Sequence, residues 1–532
     1  MAYCTCRKRL HSQNCEQWFK ERRLYARSSE DKVPRNPLRE SLEAGRFCHV
    51  VEIVASRISR EARLLHVAAQ LAVTPGVVAG SITSYAGGSA GQDPVRVGTA
   101  AKARGLTPNI HVTCVSKDRR ELREMLHTIS DLDIENVFAL TGDYPKGSTP
   151  VFDMDSVELV TLMNELRQNE GLQLWIAVAV TPFKYTEPDC VYQYLKLEKK
   201  FAAGADYAIT QLGFDAKKFA ELRRYLDDHG IQKPVLGNVY VLGLKAAEKM
   251  SKGEPPGCWV APELVEKIRA ETKAKDSGEA ARLERAARMV AILRGMGYAG
   301  AYIGGTHKAE HVRWIIERGQ QLAPQWEELA SELSYSPKSA FYMYEPSTAP
   351  RLAPLGWRER AVNAFWHVPS PKRIPEGGVL HKLAKTVFGW IDHRPSLARS
   401  LERAEFAVKS PAFGCQSCGN CVIPDMQYVC PQTCPKQLRN GPCGGTNNGQ
   451  CEVIPERSCI WVKVYERAKA ANELESLKVY IPPPDRSLKG TSAWINYFLN
   501  RDSRPGRPKL GAPTPTPAPI KEESKIKVAV PQ

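Results

Sequence analysis

The stretch Leu172-Gln-Leu-Trp-Ile-Ala-Val-Ala-Val-Thr-Pro182 contains the longest uninterrupted apolar run of the chain, Leu174–Val180. That run is far short of the ~20 residues a membrane helix needs. Its unbroken apolar composition is that of a parallel strand buried on both faces. Similar runs precede it at Phe47–Ala55, Gly76–Thr83, Asn109–Cys114 and Asn136–Thr141, and follow it at Tyr207–Phe214, Pro234–Leu242 and Tyr298–Gly304. Between them the pattern turns helical, as at Arg119–Ile129, Ser156–Arg167, Val191–Ala203 and Ala216–His229. Leu122, Met125 and Leu126 stand at i, i+3 and i+4 and give the first of these an apolar stripe. Eight strand–helix units over residues 47–322 predict an α/β fold of the (β/α)8 kind, which typically takes ~250 residues. A doubly wound sheet is the alternative. In a barrel the chemistry lies at the C-terminal ends of the strands. Glu52, Thr83, His111, Thr113, Asp143 and Gln211 all fall in or just after an apolar strand.

The 532 residues exceed one ordinary domain, and 43% hydrophobic with 25% charged residues is the composition of a globular protein. No secretory signal is visible, so a cytoplasmic, disulfide-free protein without membrane insertion is expected. The net charge of +16 is unevenly spread. Residues 47–335 carry 35 Lys/Arg against 36 Asp/Glu, whereas residues 336–532 carry 28 against 16. A nucleic-acid binder would be basic throughout, so no nucleic-acid partner is expected. A basic flank suits an acidic protein partner.

The flanks divide the chain further. Residues 1–46 read as a charged extension with a helical stretch near Glu16–Arg27, and 323–340 as a linker. Residues 341–500 form a cysteine-rich domain, and 501–532 a disordered Pro/Lys-rich tail. A basic amphipathic helix at Leu380–Ile391 has an apolar face of Leu380, Leu383, Val387 and Trp390. Docking onto the barrel or the cysteine-rich domain is its expected use, with a membrane surface as the alternative.

Of 15 cysteines, eight lie in the pattern Cys415-x2-Cys418-x2-Cys421-x8-Cys430-x3-Cys434-x8-Cys443-x7-Cys451-x7-Cys459, with no His among them. Structural zinc sites usually pair Cys-x2–4-Cys knuckles, often with His. A Cys-x2-Cys-x2-Cys run followed by Cys430-Pro431 and Cys434-Pro435 is closer to ferredoxin-type ligation. Eight thiolates suffice for two four-Cys iron–sulfur clusters, with zinc as the alternative.

Three strings in the barrel segment belong together. They are Asn109-Ile-His-Val-Thr-Cys114, Ala139-Leu-Thr-Gly-Asp-Tyr-Pro145 and Ala203-Gly-Ala-Asp-Tyr-Ala-Ile-Thr-Gln-Leu-Gly-Phe-Asp215. In order, spacing and wording they resemble methylenetetrahydrofolate reductase, a flavin-dependent (β/α)8 enzyme, over residues 47–322. The resemblance implies Glu52 as the general acid, and Asp143 between flavin and pterin as a second catalytic and substrate-binding residue. It implies Gln211 on the folate, and Thr83, His111, Asp143 and Lys200 on the flavin, FAD or FMN. The acid's surroundings differ from the family's usual Phe-Glu-Phe-Phe-Pro-Pro, being Val51-Glu52-Ile53-Val54-Ala55-Ser56 here. The Arg that often precedes Gly-Asp is Thr141, and the strand-five Tyr-Pro is Thr181-Pro182. Both changes weaken contacts to the phosphate and ribityl side of the flavin. The Gly-rich Ala86–Gly91 reads as a flexible turn or a phosphate cradle.

Phe413-Gly-Cys415, Asn440-Gly-Pro-Cys-Gly-Gly445 and Cys451-Glu-Val453 resemble the small cysteine-rich partner subunit of acetogen-type methylenetetrahydrofolate reductases, here fused behind the barrel. Together the resemblances imply a reductase interconverting methylene- and methyl-tetrahydrofolate in one-carbon metabolism and methionine supply. Its expected partners are methylenetetrahydrofolate and either NAD(P)H or an acidic ferredoxin-like donor, with a homo-oligomer left open. The alternative is a non-catalytic folate or methyl-transfer scaffold with a zinc module.

Overall fold

The computed structural model describes residues 36–84, 91–145, 147–345, 357, 361 and 377–505. The Gly-rich turn's residues 86–90, most of the N-terminal extension and the C-terminal tail lie outside the described residues. Eight parallel strands close into a barrel in sequence order. They are β1 (Cys48–Ile53), β2 (Val77–Ile82), β3 (Pro108–Thr113), β4 (Asn136–Leu140), β5 (Trp175–Val180), β6 (Tyr207–Leu212), β7 (Val235–Tyr240) and β8 (Gly300–Gly304). Closure by β1 on β8, with Val51 opposite Ile303, removes the doubly wound alternative.

Along each strand one set of side chains faces the helices and the other the barrel interior. Val51, Ile53, Ile82, Ile110 and Val112 pack outward into the helical layer. Val50, Ala79, Phe138, Ile209, Leu236 and Tyr302 form the interior. Continuous apolar strands follow from this double burial.

Two sequence boundaries move. Residues 36–46 were expected in the extension. There Pro37–Glu43 forms α1, capped by the Asn36 side chain, and its Leu38 and Leu42 insert among the interior residues. A short helix carrying two leucines closes the barrel floor because an apolar interior open to water would be costly. The expected linker 323–340 contains a 3-10 turn and a helix, Trp326–Glu332. Trp326 lies on Gly295, where an added Cβ would come within 2.0 Å of the indole.

The helices that position the site are α2 (Glu61–Ala72), α3 (Pro94–Lys102), α4 (Arg119–Asp131), α5 (Ser156–Glu170), α6 (Glu187–Ala202), α7 (Ala216–Asp228), α8 (Leu244–Met250), α9 (Pro262–Glu271), α10 (Glu279–Gly295) and α11 (Ala309–Leu322). After α12 (Trp326–Glu332), the cysteine-rich region contributes α13 (Val379–Asp392), α14 (Pro395–Phe413), α15 (Ile460–Ala470) and α16 (Ala493–Phe498). Its core of Trp461, Val464, Tyr465, Leu438 and Val422 includes Tyr192 and Leu195 from α6, so the two regions share one packed interior. In α13 it is Phe388 that stacks on Phe498, with ring centroids 4.9 Å apart. The face expected to dock stays exposed, Leu380 at 67% and Leu383 at 60%. Among the described residues no helix is long and apolar enough to cross a membrane.

Candidate active site at the barrel mouth

Alternation along β1 decides where its carboxylate points. Val50 faces the interior, so Glu52, two residues on, faces it too, at the C-terminal rim and opposite Ser81 of β2. On the other side Gly304 of β8 makes room: a Cβ there would lie 2.8 Å from Glu52 Oε2. Burial raises the Glu52 carboxyl to about 7. Among the described residues no cation offsets that loss of hydration. The same carboxyl adds to the burial that pushes the Tyr240 hydroxyl up to about 12.

Thr83 and His111 build the adjoining wall on β2 and β3. Thr83 Oγ1 accepts from the Ala55 amide at 3.3 Å. His111 Nε2 is 3.0 Å from Ser81 Oγ, and its ring meets Phe138 edge-on at 4.9 Å. Burial lowers His111 to about 3, so it is neutral at any working pH. Asp143 follows Gly142, whose φ of +89° and close neighbours Val115 and Thr113 favour glycine. Gln211 rises from β6, its Oε1 accepting from the Leu212 amide at 2.9 Å. Lys200 does not join this group. It is buried in α6, and its Nζ donates to Ala179 O of β5 at 2.5 Å.

The cysteine-rich region covers part of the mouth through residues whose roles sequence reasoning missed. Lys436 Nζ donates to Gly142 O at 2.9 Å and forms a buried ion pair with Glu452. Lys184 donates to Thr446 O, and Lys196 to Gly441 O and Pro442 O at 3.2 and 3.0 Å. Asp155, the N-cap of α5, accepts from the amides of Arg439 and Asn440 at 3.1 and 2.9 Å. Gly444 lies over the end of β5, where an added Cβ would meet Thr181 Oγ1 at 2.9 Å. These contacts fall on α5, α6 and the loops after β4 and β5. The rim formed by β8 and β1 opens instead into a cavity of about 810 Å3 that includes Glu52.

The eight cysteines separate into two groups. Cys415, Cys418, Cys421 and Cys430 line one cavity with Lys409, whose Nζ is 3.8 Å from Cys421 Sγ. Cys434, Cys443, Cys451 and Cys459 lie within electrostatic reach of one another. Cys443 Sγ is 3.2 Å from Glu452 Oε2. A single 3-10 turn, Pro431–Thr433, joins the groups, with Cys430 and Cys434 as its two flanking residues. Among the described residues no three such ligands converge on a single ion. All-thiolate donor sets beside lysine cations nonetheless fit a thiolate-bound centre in composition. A flavin or pterin finds a fitting partner in Asn238 of β7, whose Oδ1 is buried without a hydrogen bond.

Comparison with known families agrees with this division. The family model described as Methylenetetrahydrofolate reductase matches residues 37–318, just over half of the chain. Methylene-tetrahydrofolate reductase C terminal matches residues 395–487. A 5,10-methylenetetrahydrofolate reductase of Escherichia coli (strain K12) is 32% identical over 149 residues, 28% of this chain and 48% of that protein. A probable methylenetetrahydrofolate reductase (NADPH) of Caenorhabditis elegans is 26% identical over 150 residues, 28% of this chain and 22% of that protein. The chain thus matches half or less of the length of these relatives. A Clostridium thermocellum protein whose structure binds two copies of 5-methyl-5,6,7,8-tetrahydrofolic acid aligns with a TM-score of 0.42 at 9% identity, covering 54% of this chain and 99% of that one.

Proposed function

Because the chain belongs to the methylenetetrahydrofolate reductase family, we propose that it interconverts 5,10-methylenetetrahydrofolate and 5-methyltetrahydrofolate, with Glu52 as the proton donor. The observation that carries this reading is the Glu52 carboxyl itself, facing the barrel interior and held by burial at about 7. The imidazolidine ring of the substrate must open to an iminium before its one-carbon unit can accept hydride. Opening places a proton on a ring nitrogen. An acid whose pKa lies near the working pH both holds that proton and gives it up readily. In the reverse direction the same carboxylate takes the proton back.

Asp143 accepts the paired N–H donors of the pterin's amino-pyrimidine edge, for which a carboxylate is suited. Gln211 adds an amide on the same side. Thr83 and His111 would form the wall against a flavin, with Asp143 and Asn238 as its polar contacts. Bound there, FAD or FMN would supply the hydride. Neutral His111 places no charge against that ring. Lys200, held between α6 and β5, is left out of this assignment.

The eight cysteines would hold iron–sulfur clusters, whose chemistry is one-electron relay. Seating of the cysteine-rich region on the mouth, through Lys436 and Gly142, favours electron entry from a protein donor over direct reduction by a nicotinamide. Anaerobic turnover with NADH, NADPH and reduced ferredoxin tests both points. Methyl-folate formation with the reduced protein donor is the expected result. Turnover with NADH alone removes the electron route, and no turnover with any donor removes the activity.

A further inference from the structure

Helix α14 and the helix before it hold more cations than they can pair. Residues 377–413, which span α13 and α14, contain six Lys/Arg against three Asp/Glu. All three acids are used within the chain. Asp392 pairs with Arg501, Glu405 pairs with Lys409, and Glu402 accepts from Ser417 Oγ. Among the described residues this leaves Lys382, Lys385, Arg394, Arg399 and Arg403 without a carboxylate partner. Arg399, Arg403 and Phe406 stand at i, i+4 and i+7, so they share one face of α14. That face is open to solvent, with Phe406 40% exposed. Phe406 also lines the cavity of Cys415, Cys418, Cys421 and Cys430, so the cationic face ends at the first group of cysteines.

The two cysteine groups face different ways. The Cys434 group is held against the barrel: Cys443 O accepts from Gln193 of α6 at 2.9 Å, and Lys436 reaches Gly142. Cys415, Cys418 and Cys421 are half-buried, and no barrel residue lines their cavity. Surplus cations around an exposed aromatic ring steer and seat an acidic protein. Resting on the reading that electrons enter from a protein donor, we propose that the exposed face of α14 is the docking surface of an acidic one-electron carrier protein. Its electron enters at the Cys415 group, and the Cys434 group stands between that entry and the barrel mouth. Each reduced carrier is oxidised by one electron, so two dockings, with two protons from water of which one passes through Glu52, convert the methylene carbon to methyl. An anionic membrane would also attract these cations. Phe406, which belongs both to the face and to the cysteine cavity, favours a redox partner.

The test uses the full-length protein purified anaerobically, with an acidic bacterial ferredoxin as the probe, in wild type, Arg399→Gln/Arg403→Gln and Arg399→Lys/Arg403→Lys. Calorimetry is expected to show binding to wild type that weakens as salt rises. The glutamine variant is expected to bind about tenfold more weakly, with KM for reduced ferredoxin raised by the same factor. The lysine variant keeps the charge and most of the binding. Turnover driven by reduced methyl viologen, a small dye that needs no docking surface, stays unchanged in both variants. Undiminished ferredoxin binding and turnover in the glutamine variant overturns the docking face while leaving a protein donor standing. Loss of the dye-driven turnover as well overturns it in favour of a structural role for the arginines. Capture of wild type, and not of the glutamine variant, by phosphatidylglycerol vesicles with ferredoxin turnover unaffected overturns it in favour of a membrane. Wild type that turns over with NADH and not with ferredoxin overturns both the face and the protein-donor reading.

Discussion

Lys436 Nζ, from the cysteine-rich region, donates a 2.9 Å hydrogen bond to the carbonyl oxygen of Gly142, the residue immediately before Asp143. The two are 294 positions apart. The contact ties the cysteine groups to the turn that presents Asp143, the carboxylate proposed to hold the pterin, and Glu452 holds the lysine in place through a buried ion pair at 3% exposure on both sides. The ion pair stabilises the charged lysine, so burial does not neutralise it.

Removing one partner of that pair leaves the other buried without compensation, which typically costs about 3–5 kcal/mol. Lys436→Met is therefore expected to lower the thermal midpoint by many degrees, and Lys436→Met/Glu452→Leu to recover much of the loss. A double-mutant cycle followed by calorimetry checks this. An unchanged midpoint in Lys436→Met would mean that the pair does not hold the two regions together.

A second buried pair anchors the segment that leads out of the barrel. Lys218 Nζ and Glu221 Oε1 are 2.8 Å apart at 0% and 4% exposure, and Glu221 Oε2 also accepts from the Met343 amide. Glu221→Leu strands the lysine and frees that amide. The expected loss is about 3–5 kcal/mol in denaturant unfolding, together with faster proteolysis near residue 343.

The floor helix gives a third outcome. Leu38 is 0% exposed among interior barrel residues. Leu38→Ala is expected to cost about 2–5 kcal/mol by creating a cavity, measured by urea denaturation. A loss below about 1 kcal/mol would mean that α1 is not part of the barrel core.

The cysteine groups predict a composition. Anaerobically purified protein is expected to contain iron and acid-labile sulfide, and Cys418→Ser and Cys451→Ser should each remove about half, because each belongs to a different group of four. Stoichiometric zinc without sulfide would contradict the iron–sulfur assignment.

All eight strands were legible because parallel strands buried on both faces leave unbroken apolar runs such as Trp175–Val180. The place of Glu52 near the end of β1 was legible because it is a lone acid inside such a run. The contacts of Lys436, Lys196 and Asp155 with the opposite region were not, because contacts between segments 245 to 294 residues apart leave no periodic trace in either. The same holds for α1: Leu38 and Leu42 are too few to show a helical period, and only the open barrel floor explains them. Lys200 shows a different limit. One of three nearby lysines was matched by its surroundings in sequence, whereas helix phase turns it toward Ala179.

The Glu52 carboxyl also fixes a pH dependence. Its folded pKa of about 7 lies above the ordinary value of 4.5. Between these limits the native state binds a proton that the unfolded state has lost, so this group's contribution to stability falls as pH rises through that window. Reduction of methylenetetrahydrofolate should fall on the alkaline side of about 7, where the acid loses its proton.

Single-turnover oxidation of the pre-reduced protein by 5,10-methylenetetrahydrofolate, wild type against Glu52→Gln, addresses proton donation alone. The amide keeps the shape of the side chain and has no proton to give. A rate lowered by about 10²–10⁴-fold in Glu52→Gln, with 5-methyltetrahydrofolate still bound and the alkaline fall near pH 7 abolished, is the predicted result. Oxidation at the wild-type rate with the pH profile intact would contradict it.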